Sequence, residues 1–89
     1  MSNHTSEKIL SQKLSCVNIK KDTFYYHYRN PDQHYLVQGI GLDEATEEPL
    51  VIYQACYGDG LTWVRKVSVW NEEVEFNGKM VSRFTKISP

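Results

Sequence analysis

From Phe24 onward, short runs rich in Tyr, Val, Ile, Phe and Trp alternate with clusters of Pro, Gly, Asn and Asp. Aromatic and β-branched side chains favour the pleated, half-buried surface of a strand, and the intervening residues favour turns. The pattern predicts turns near 29–33, 43–49, 57–60 and 77–78. Between them it predicts strands near 24–28, 34–41, 50–56, 62–69, 73–76 and 79–86. A chain punctuated in this way is predicted to be all-β.

The last hairpin is the most specific local signal. Asn77-Gly78 supplies the two residues of positive φ that a type I′ turn requires, and alternating sequence flanks it on both sides. The two-residue loop predicts a register in which Phe76 faces Lys79, Glu75 faces Met80, Val74 faces Val81, Glu73 faces Ser82 and Glu72 faces Arg83. One face would then carry Val74, Phe76 and Val81, which we expect to be buried.

At 89 residues, with 40% hydrophobic residues, the chain has the length and composition of one folded domain. A sheet this short must hide its edges, so we predict a small SH3-like barrel or roll of five or six short antiparallel strands over residues 23–89, with an OB-like barrel as the other candidate. Residues 1–22 form a polar N-terminal extension. Within it, the helical spacing of Ile9, Leu10 and Leu14 indicates a short amphipathic helix.

Composition and spacing exclude several kinds of site. A net charge of −1 provides no general attraction to nucleic acid or to an anionic membrane. The polar N-terminus has no signal-peptide pattern, so we expect a cytoplasmic protein. In that compartment Cys16 and Cys56 should be free thiols. We expect Cys56 to be a small buried residue of a strand. Neither cysteine has zinc-ligand spacing, and the acidic residues at 43–48 lack calcium-loop spacing. We predict no metal and no cofactor.

The order and spacing of several short motifs over residues 23–87 resemble the bacterial DUF1653 family, a domain of unknown function. The matching segments are Tyr25-Tyr26-His27-Tyr28-Arg29, Tyr35 with Val37, Val51-Ile52-Tyr53-Gln54, Tyr57-Gly58, Trp63-Val64-Arg65 and Arg83-Phe84. The resemblance implies a small SH3-like barrel and no settled activity. The chain departs from the family pattern at two places: Asp43-Glu44-Ala45-Thr46 stands where a His-Ser-Glu-Thr loop is expected, and Lys66 replaces a proline.

Aromatic residues and arginines are the strongest candidates for a ligand site. Trp63 and Arg65 lie two apart in a predicted strand, so both side chains should share one face, where the guanidinium can stack on a ring and bind an anion. The alternative is that Trp63 belongs to the barrel wall and Arg65 pairs with a carboxylate. Arg83 has a structural partner in Glu72. We predict a ligand site formed by His27, Tyr28, Tyr57, Trp63, Arg65 and Arg83.

Two classes of function compete. No catalytic triad can be assembled from the sequence, which favours a non-enzymatic binding module with an aromatic and arginine surface for a peptide, protein or nucleotide-like ligand. We therefore assign no catalytic residue. The alternative is a small enzyme or metabolite sensor in which His27 is a base and Arg65 holds an anionic substrate. Nucleic-acid binding is the disfavoured form of the first class, and it would show strong salt dependence.

Overall fold

The computed structural model describes residues 5–87, so residues 1–4 of the predicted extension and 88–89 of the predicted domain lie outside the described residues. The described part contains two helices and seven strands. The helices are α1 (Glu7–Ser15) and α2 (Val67–Trp70). The strands are β1 (Phe24–His27), β2 (Asn30–Leu42), β3 (Pro49–Ala55), β4 (Thr62–Lys66), β5 (Glu73–Phe76), β6 (Lys79–Ser82) and β7 (Phe84–Lys86).

The strands form a five-stranded sheet of order β4-β3-β2-β1-β7 and a two-stranded sheet, β5-β6. Each pairing is antiparallel, which confirms the all-β prediction. Within residues 5–87, strand pairing leaves β4 and β7 as the two edges of the larger sheet, and closure into an SH3-like barrel stays a prediction. Neither helix in this part of the chain is long and apolar enough to cross a bilayer.

The core lies on one face of the larger sheet. Inward-facing residues alternate along β3, where Val51, Tyr53 and Ala55 are buried. The rings of Trp70 and Phe84 stack against each other, with centroids 3.7 Å apart and planes within 2°. The remaining buried core residues are Val37 and Ile19. Ile19 therefore packs against the sheet although it precedes the first strand.

The 77–78 hairpin has the predicted geometry. Asn77 and Gly78 have φ values of 54° and 78°, and every predicted pair from Phe76–Lys79 to Glu73–Ser82 is observed. The predicted burial of this face is wrong: Phe76 is 40% exposed, and Val74 and Val81 are only half-buried. The two-stranded sheet is too small to cover this ring. Among the described residues, the one aromatic ring that Phe76 contacts is that of Tyr28, edge to face, with the centroids 5.3 Å apart.

Three strand boundaries differ from the prediction for tertiary reasons. β2 begins at Asn30, because Asn30 pairs with His27 of β1; Pro31 is tolerated there, since residues 31–33 lie at the irregularity that follows and take part in neither the β1 nor the β3 pairing. Residues 67–70 form one helical turn instead of strand, because that turn carries Trp70 into the core against the β-propensity of its sequence. The predicted strand 79–86 is two strands, which makes seven in all.

The change of sheet at Arg83 has a visible cause. Its backbone N–H donates to the carbonyl oxygen of Glu72 at 2.9 Å, and its own carbonyl accepts from Tyr28 N–H at 3.0 Å. These bonds hold the chain where β6 ends and direct Phe84 into β7, beside β1.

The N-terminal helix is confirmed. The Ser6 hydroxyl caps it by accepting from Ile9 N–H at 3.4 Å, and Leu10 and Leu14 are half-buried. Thr5 ties this end to the loop between β2 and β3, since its N–H and hydroxyl donate to the two carboxylate oxygens of Glu47 at 2.8 and 2.6 Å. The helix is therefore docked on the β2–β3 hairpin.

Both cysteines are free, as predicted, and both are exposed. The prediction that Cys56 is buried is wrong, because β3 ends at Ala55 and the alternation along the strand places Ala55 inside. Among residues 5–87, no group of three His, Cys, Asp or Glu side chains is arranged to hold a metal ion.

Candidate functional site

An open cavity of about 230 Å³ lies on the core-facing side of the larger sheet, at its β4 end. It is lined by the aromatic side chains and one guanidinium of Tyr35, Tyr53, Tyr57, Trp63 and Arg65. These residues come from β2, β3, the loop after β3, and β4. Three of the six predicted site residues, Tyr57, Trp63 and Arg65, therefore meet in one place.

Strand register explains how the cavity is assembled. Tyr53 lies directly opposite Trp63, and Val51 lies opposite Arg65. Because residues two apart in a strand share a face, Trp63 and Arg65 point to the same side as the buried alternation of β3. The predicted shared face is thus observed, while Val64, between them, is 61% exposed on the other side.

The tyrosines form a continuous wall. The hydroxyl oxygens of Tyr35 and Tyr57 are 2.6 Å apart, and their rings meet edge to face at 5.5 Å. Tyr35 also meets the Tyr53 ring edge to face at 5.4 Å. Burial, and then the hydrogen bond with Tyr57, raise the pKa of Tyr35 above its ordinary value. The Tyr35 hydroxyl therefore stays protonated near neutral pH, and its hydrogen bond with Tyr57 fixes the shape of the wall.

The Arg65 guanidinium is the cationic group of this cavity. Its Cζ lies 5.5 Å from the centroid of the Phe84 ring, so the stacking partner is Phe84 where Trp63 was predicted. Its Nε donates to the Tyr53 hydroxyl at 3.5 Å, the long limit of a hydrogen bond. Among residues 5–87, ion pairs join Lys66 to Glu48 and Arg83 to Glu72, and no carboxylate pairs with Arg65.

The other three predicted residues form a second group at the end of β1. The His27 ring lies 4.6 Å from the Tyr28 ring and 5.2 Å from the Phe84 ring. Arg83 reaches this group through the hydrogen bond of its carbonyl with Tyr28 N–H. Phe84 joins the two groups, because its ring contacts both His27 and Arg65. His27 does not line the cavity itself.

His27 reports a positive local potential. Burial lowers its pKa first, and the charges of Arg65, Arg83 and Arg29 lower it further. Its Nδ1 accepts a hydrogen bond from Arg29 N–H at 3.2 Å, which places the ring proton of the neutral form on Nε2. The arginine charges add to the effect of burial, and of these arginines Arg83 is paired with Glu72, so Arg65 is the one that borders the cavity without a carboxylate partner among the described residues.

Arg83 has the structural partner that the hairpin register predicted. Its guanidinium donates to the Glu72 carboxylate at 3.0 Å. Its Nε is buried and has no hydrogen-bond partner among the described residues. This ion pair holds the end of β6 beside Glu72, the residue before β5. The main role of Arg83 is therefore structural: it fixes the backbone at the point where the chain enters β7 at Phe84.

Two cavity residues, Tyr35 and Tyr53, were not among the predicted site residues. Tyr53 could have been found from the alternation Val51, Tyr53, Ala55, because a strand with this spacing presents one face to the core. Tyr35 could not, since its place depends on the β-bulge between Val37 and Gly39 and on pairing with Ala55.

A family model described as a protein of unknown function, DUF1653, matches residues 23–86. The chain belongs to the DUF1653 family. The crystal structure of a DUF1653 protein from Bordetella bronchiseptica is similar to it, with 28% sequence identity and a TM-score of 0.67. The similarity covers 83% of this chain and 99% of that protein. None of the curated proteins compared with the chain matches it.

The two places at which the resemblance led us to expect a departure from the family pattern have local structural roles. In the β2–β3 hairpin, the Asp43 carboxylate accepts from the N–H groups of Ala45 and Thr46 at 2.8 and 3.1 Å, which closes the turn. Lys66, in the proline position, pairs with Glu48 at 3.0 Å and directly precedes α2. Neither residue lines the aromatic cavity of this DUF1653 protein.

Proposed function

We propose that this DUF1653 protein is a non-enzymatic binding module whose cavity receives an anionic group carried beside a flat or apolar group. The observation that carries the proposal is the state of Arg65. Its charge lies in an aromatic cavity, and within residues 5–87 no carboxylate pairs with it. Apart from the long bond from Nε to Tyr53, its donors have no partner among the described residues, and a guanidinium in this state can bind a carboxylate or phosphate through two parallel hydrogen bonds.

The aromatic wall supports the second half of this description. Trp63 is 50% exposed and borders the cavity, so a flat or apolar group bound there would cover a large apolar surface. Aromatic rings provide such contact area at low cost in conformational entropy. The tyrosines are already fixed by their mutual contacts, so little ordering would accompany binding.

The size and shape of the site favour a segment of a larger ligand over an enclosed metabolite. The cavity, at about 230 Å³, is below the range of about 300–1,000 Å³ that is usual for small-molecule sites. A second depression of about 110 Å³ adjoins it and shares Tyr57 and Trp63. Together the two depressions form a groove, which we call the aromatic groove.

The competing enzyme or sensor hypothesis needs His27 to act on a substrate held by Arg65. The Nδ1 of His27 is occupied by Arg29 N–H, and the Phe84 ring contacts both His27 and Arg65. A base must lie within about 3 Å of the proton that it removes, or one water away. The arrangement therefore supports binding more strongly than catalysis, and the positive charge available for anion binding comes from the arginines near His27 and not from its neutral ring.

The test is an NMR titration of the full chain with small probes. The probes are N-acetylphenylalanine, phenyl phosphate and uridine monophosphate, with neutral N-acetylphenylalanine amide as the matched ligand control. The indole N–H of Trp63 should shift, whereas that of Trp70, which is 2% exposed, should not. Phenyl and uracil groups separate a general aromatic preference from a nucleotide preference.

Arg65→Gln should weaken binding of the anionic probes by about tenfold to a hundredfold, since hydrogen bonds to charged groups are worth about 1.5–3 kcal/mol. Lys79→Gln removes the same charge from the exposed hairpin and should have little effect. Equal weakening by the two variants would mean that the anion binds through net charge alone. The absence of a Trp63 shift with all four probes would refute the proposed site.

A further inference from the structure

We propose that the ligand is an extended acidic peptide that adds as a sixth strand to the free edge of β4, antiparallel to it, and places a carboxylate on Arg65. This inference rests on the proposed function and specifies its ligand. The observations that support it are the exposure of β4, the direction of its backbone groups, and the charge beside it.

The β4 edge is open and apolar. β4 is the last strand of the five-stranded sheet, so only one of its sides is paired. Trp63 and Val64 are 50% and 61% exposed, and Leu61, just before the strand, is 55% exposed. A strand edge of this kind is a template for a further strand, and natural proteins usually protect such edges.

The opposite edge of the sheet is protected by comparison. β7 has three residues, of which Phe84 is buried and Lys86 is charged. Short edge strands and lysines are devices that discourage strand addition. β4, with five residues, presents the longer edge, and its lysine, Lys66, is paired with Glu48. Strand addition is therefore favoured at β4.

The backbone groups that would bind a peptide can be assigned from the ladder. Ala55 N–H donates to the Leu61 carbonyl oxygen at 2.9 Å, so Ala55 and Leu61 form a hydrogen-bonded pair. Hydrogen-bonded pairs recur at every second residue of an antiparallel ladder, so the next ones are Tyr53–Trp63 and Val51–Arg65. Trp63 and Arg65 accordingly bond to β3. The N–H and carbonyl groups of Thr62 and Val64 face the open edge, where a peptide residue opposite Val64 could exchange both hydrogen bonds with it.

Charge and register define the peptide. A peptide residue opposite Arg65 would present its side chain on the same face, at cross-strand distance from the guanidinium that lacks a carboxylate partner. In an antiparallel peptide, the residue two positions later lies opposite Trp63. The preferred sequence is therefore an acidic residue, any residue, then an aromatic or large apolar residue, with the aromatic side chain in the aromatic groove.

The experiment uses the 15N-labelled full chain and an acetylated, amidated pentapeptide of sequence Val-Glu-Thr-Tyr-Val. Two modified peptides carry one N-methyl group each. On the central threonine, opposite Val64, the methyl group removes a hydrogen bond to the edge, and on the tyrosine it points away from β4. Binding should fall about tenfold or more with the first peptide and much less with the second. Val64 N–H, which faces the free edge in the unbound chain, should exchange at least about tenfold more slowly when the unmodified peptide is bound.

A further pair of measurements checks the charge and the edge. Replacement of the peptide glutamate by glutamine should weaken binding to the native chain about tenfold, and this loss should disappear in Arg65→Gln. Val64→Pro removes an N–H that faces the free edge and has no partner in β3, so the sheet loses no hydrogen bond. This variant should no longer bind the peptide, whereas the small anionic probes should still shift the Trp63 indole N–H. Val64→Thr is the matched control that keeps the N–H.

The outcomes separate the two proposals. If the two N-methyl peptides bind equally and Val64 N–H stays unprotected while Trp63 shifts, strand addition is refuted and the proposed binding site stands. If neither the peptide nor any small probe shifts Trp63, both fail. If Val64 N–H is protected without peptide in a concentration-dependent manner, with a dimer in sedimentation, the edge is occupied by a second copy and the peptide proposal is overturned.

Discussion

Truncation of the two tryptophans of this protein should cost very different amounts of stability, and the comparison tests the core on which the aromatic groove rests. Trp70 is 2% exposed and Trp63 is 50% exposed. Trp70 stacks on Phe84 and meets the edges of Tyr25 and Tyr53 at 5.1 and 5.0 Å. Trp63 borders an open cavity instead. The same change, Trp→Ala, therefore removes a core ring in one case and a site residue in the other.

The magnitude follows from buried area. A buried tryptophan covers about 150–250 Å², which at about 25 cal/mol per Å² corresponds to roughly 4–6 kcal/mol. This agrees with the measured range of about 3–5 kcal/mol for large aromatic residues replaced by alanine in cores. Trp63, half-exposed, has at most about half of that area to lose, and the real loss is smaller because unfolded chains already bury some surface, so we expect about 1–2 kcal/mol.

The assay is urea unfolding at neutral pH followed by far-ultraviolet circular dichroism, with thermal unfolding as a second measurement. For a domain of this size, each kcal/mol lowers Tm by roughly 4–8 °C. Trp70→Ala should lose about 4 kcal/mol and leave a marginally stable protein, and Trp70→Phe should recover part of this loss. Trp63→Ala should remain folded and usable in binding studies. Equal losses for the two alanine variants, or a larger loss for Trp63→Ala, would refute the stacked core.

Two other predictions concern the histidine and the hairpin. His27 has a lowered pKa in the folded chain, so the unfolded chain binds a proton at His27 at a higher pH than the folded chain does. The free energy of unfolding should therefore fall as the pH drops below about 6.5 toward the folded-state pKa. His27→Gln should remove this fall from a plot of the urea midpoint against pH. A profile of unchanged slope in the variant would contradict this assignment. Gly78→Ala should cost about 1–2 kcal/mol in urea unfolding, because the residue has φ 78°. Asn77→Gly should stay within about 0.5 kcal/mol, since glycine adopts positive φ freely, and similar losses for both variants would contradict the type I′ turn.

Local chemistry was sufficient for much of the fold. Asn77-Gly78 determines its own turn, and the turn then determines the register of β5 and β6, because side chains alternate strictly along a strand. The spacing of Ile9, Leu10 and Leu14 likewise indicated α1, although its attachment to the domain depends on the bonds between Thr5 and Glu47. Trp63 and Arg65 share a face for no other reason than their separation by two residues.

The elements that the sequence did not predict are those in which distant contacts outweigh local preference. Val67–Trp70 has the composition of a strand, yet it forms a helical turn because the Trp70 ring is buried against Phe84. The Glu72–Arg83 contact follows from the hairpin register, but the segment after Ser82 changes sheet because the Arg83 carbonyl accepts from Tyr28 N–H, at the end of β1. Such contacts leave no mark on the periodicity of the segment itself.

The same division applies to the candidate site. The sequence by itself determined which residues could bind an anion and an aromatic group, because guanidinium and indole chemistry belongs to the residue type and their common face belongs to the strand period. Only the tertiary structure decided that Tyr35 and Tyr53 complete the cavity, that Phe84 supports Arg65, and that His27 stands outside. The reason is physical: strand pairing and the β-bulge in β2 bring together residues whose separation along the chain carries no information about their separation in space.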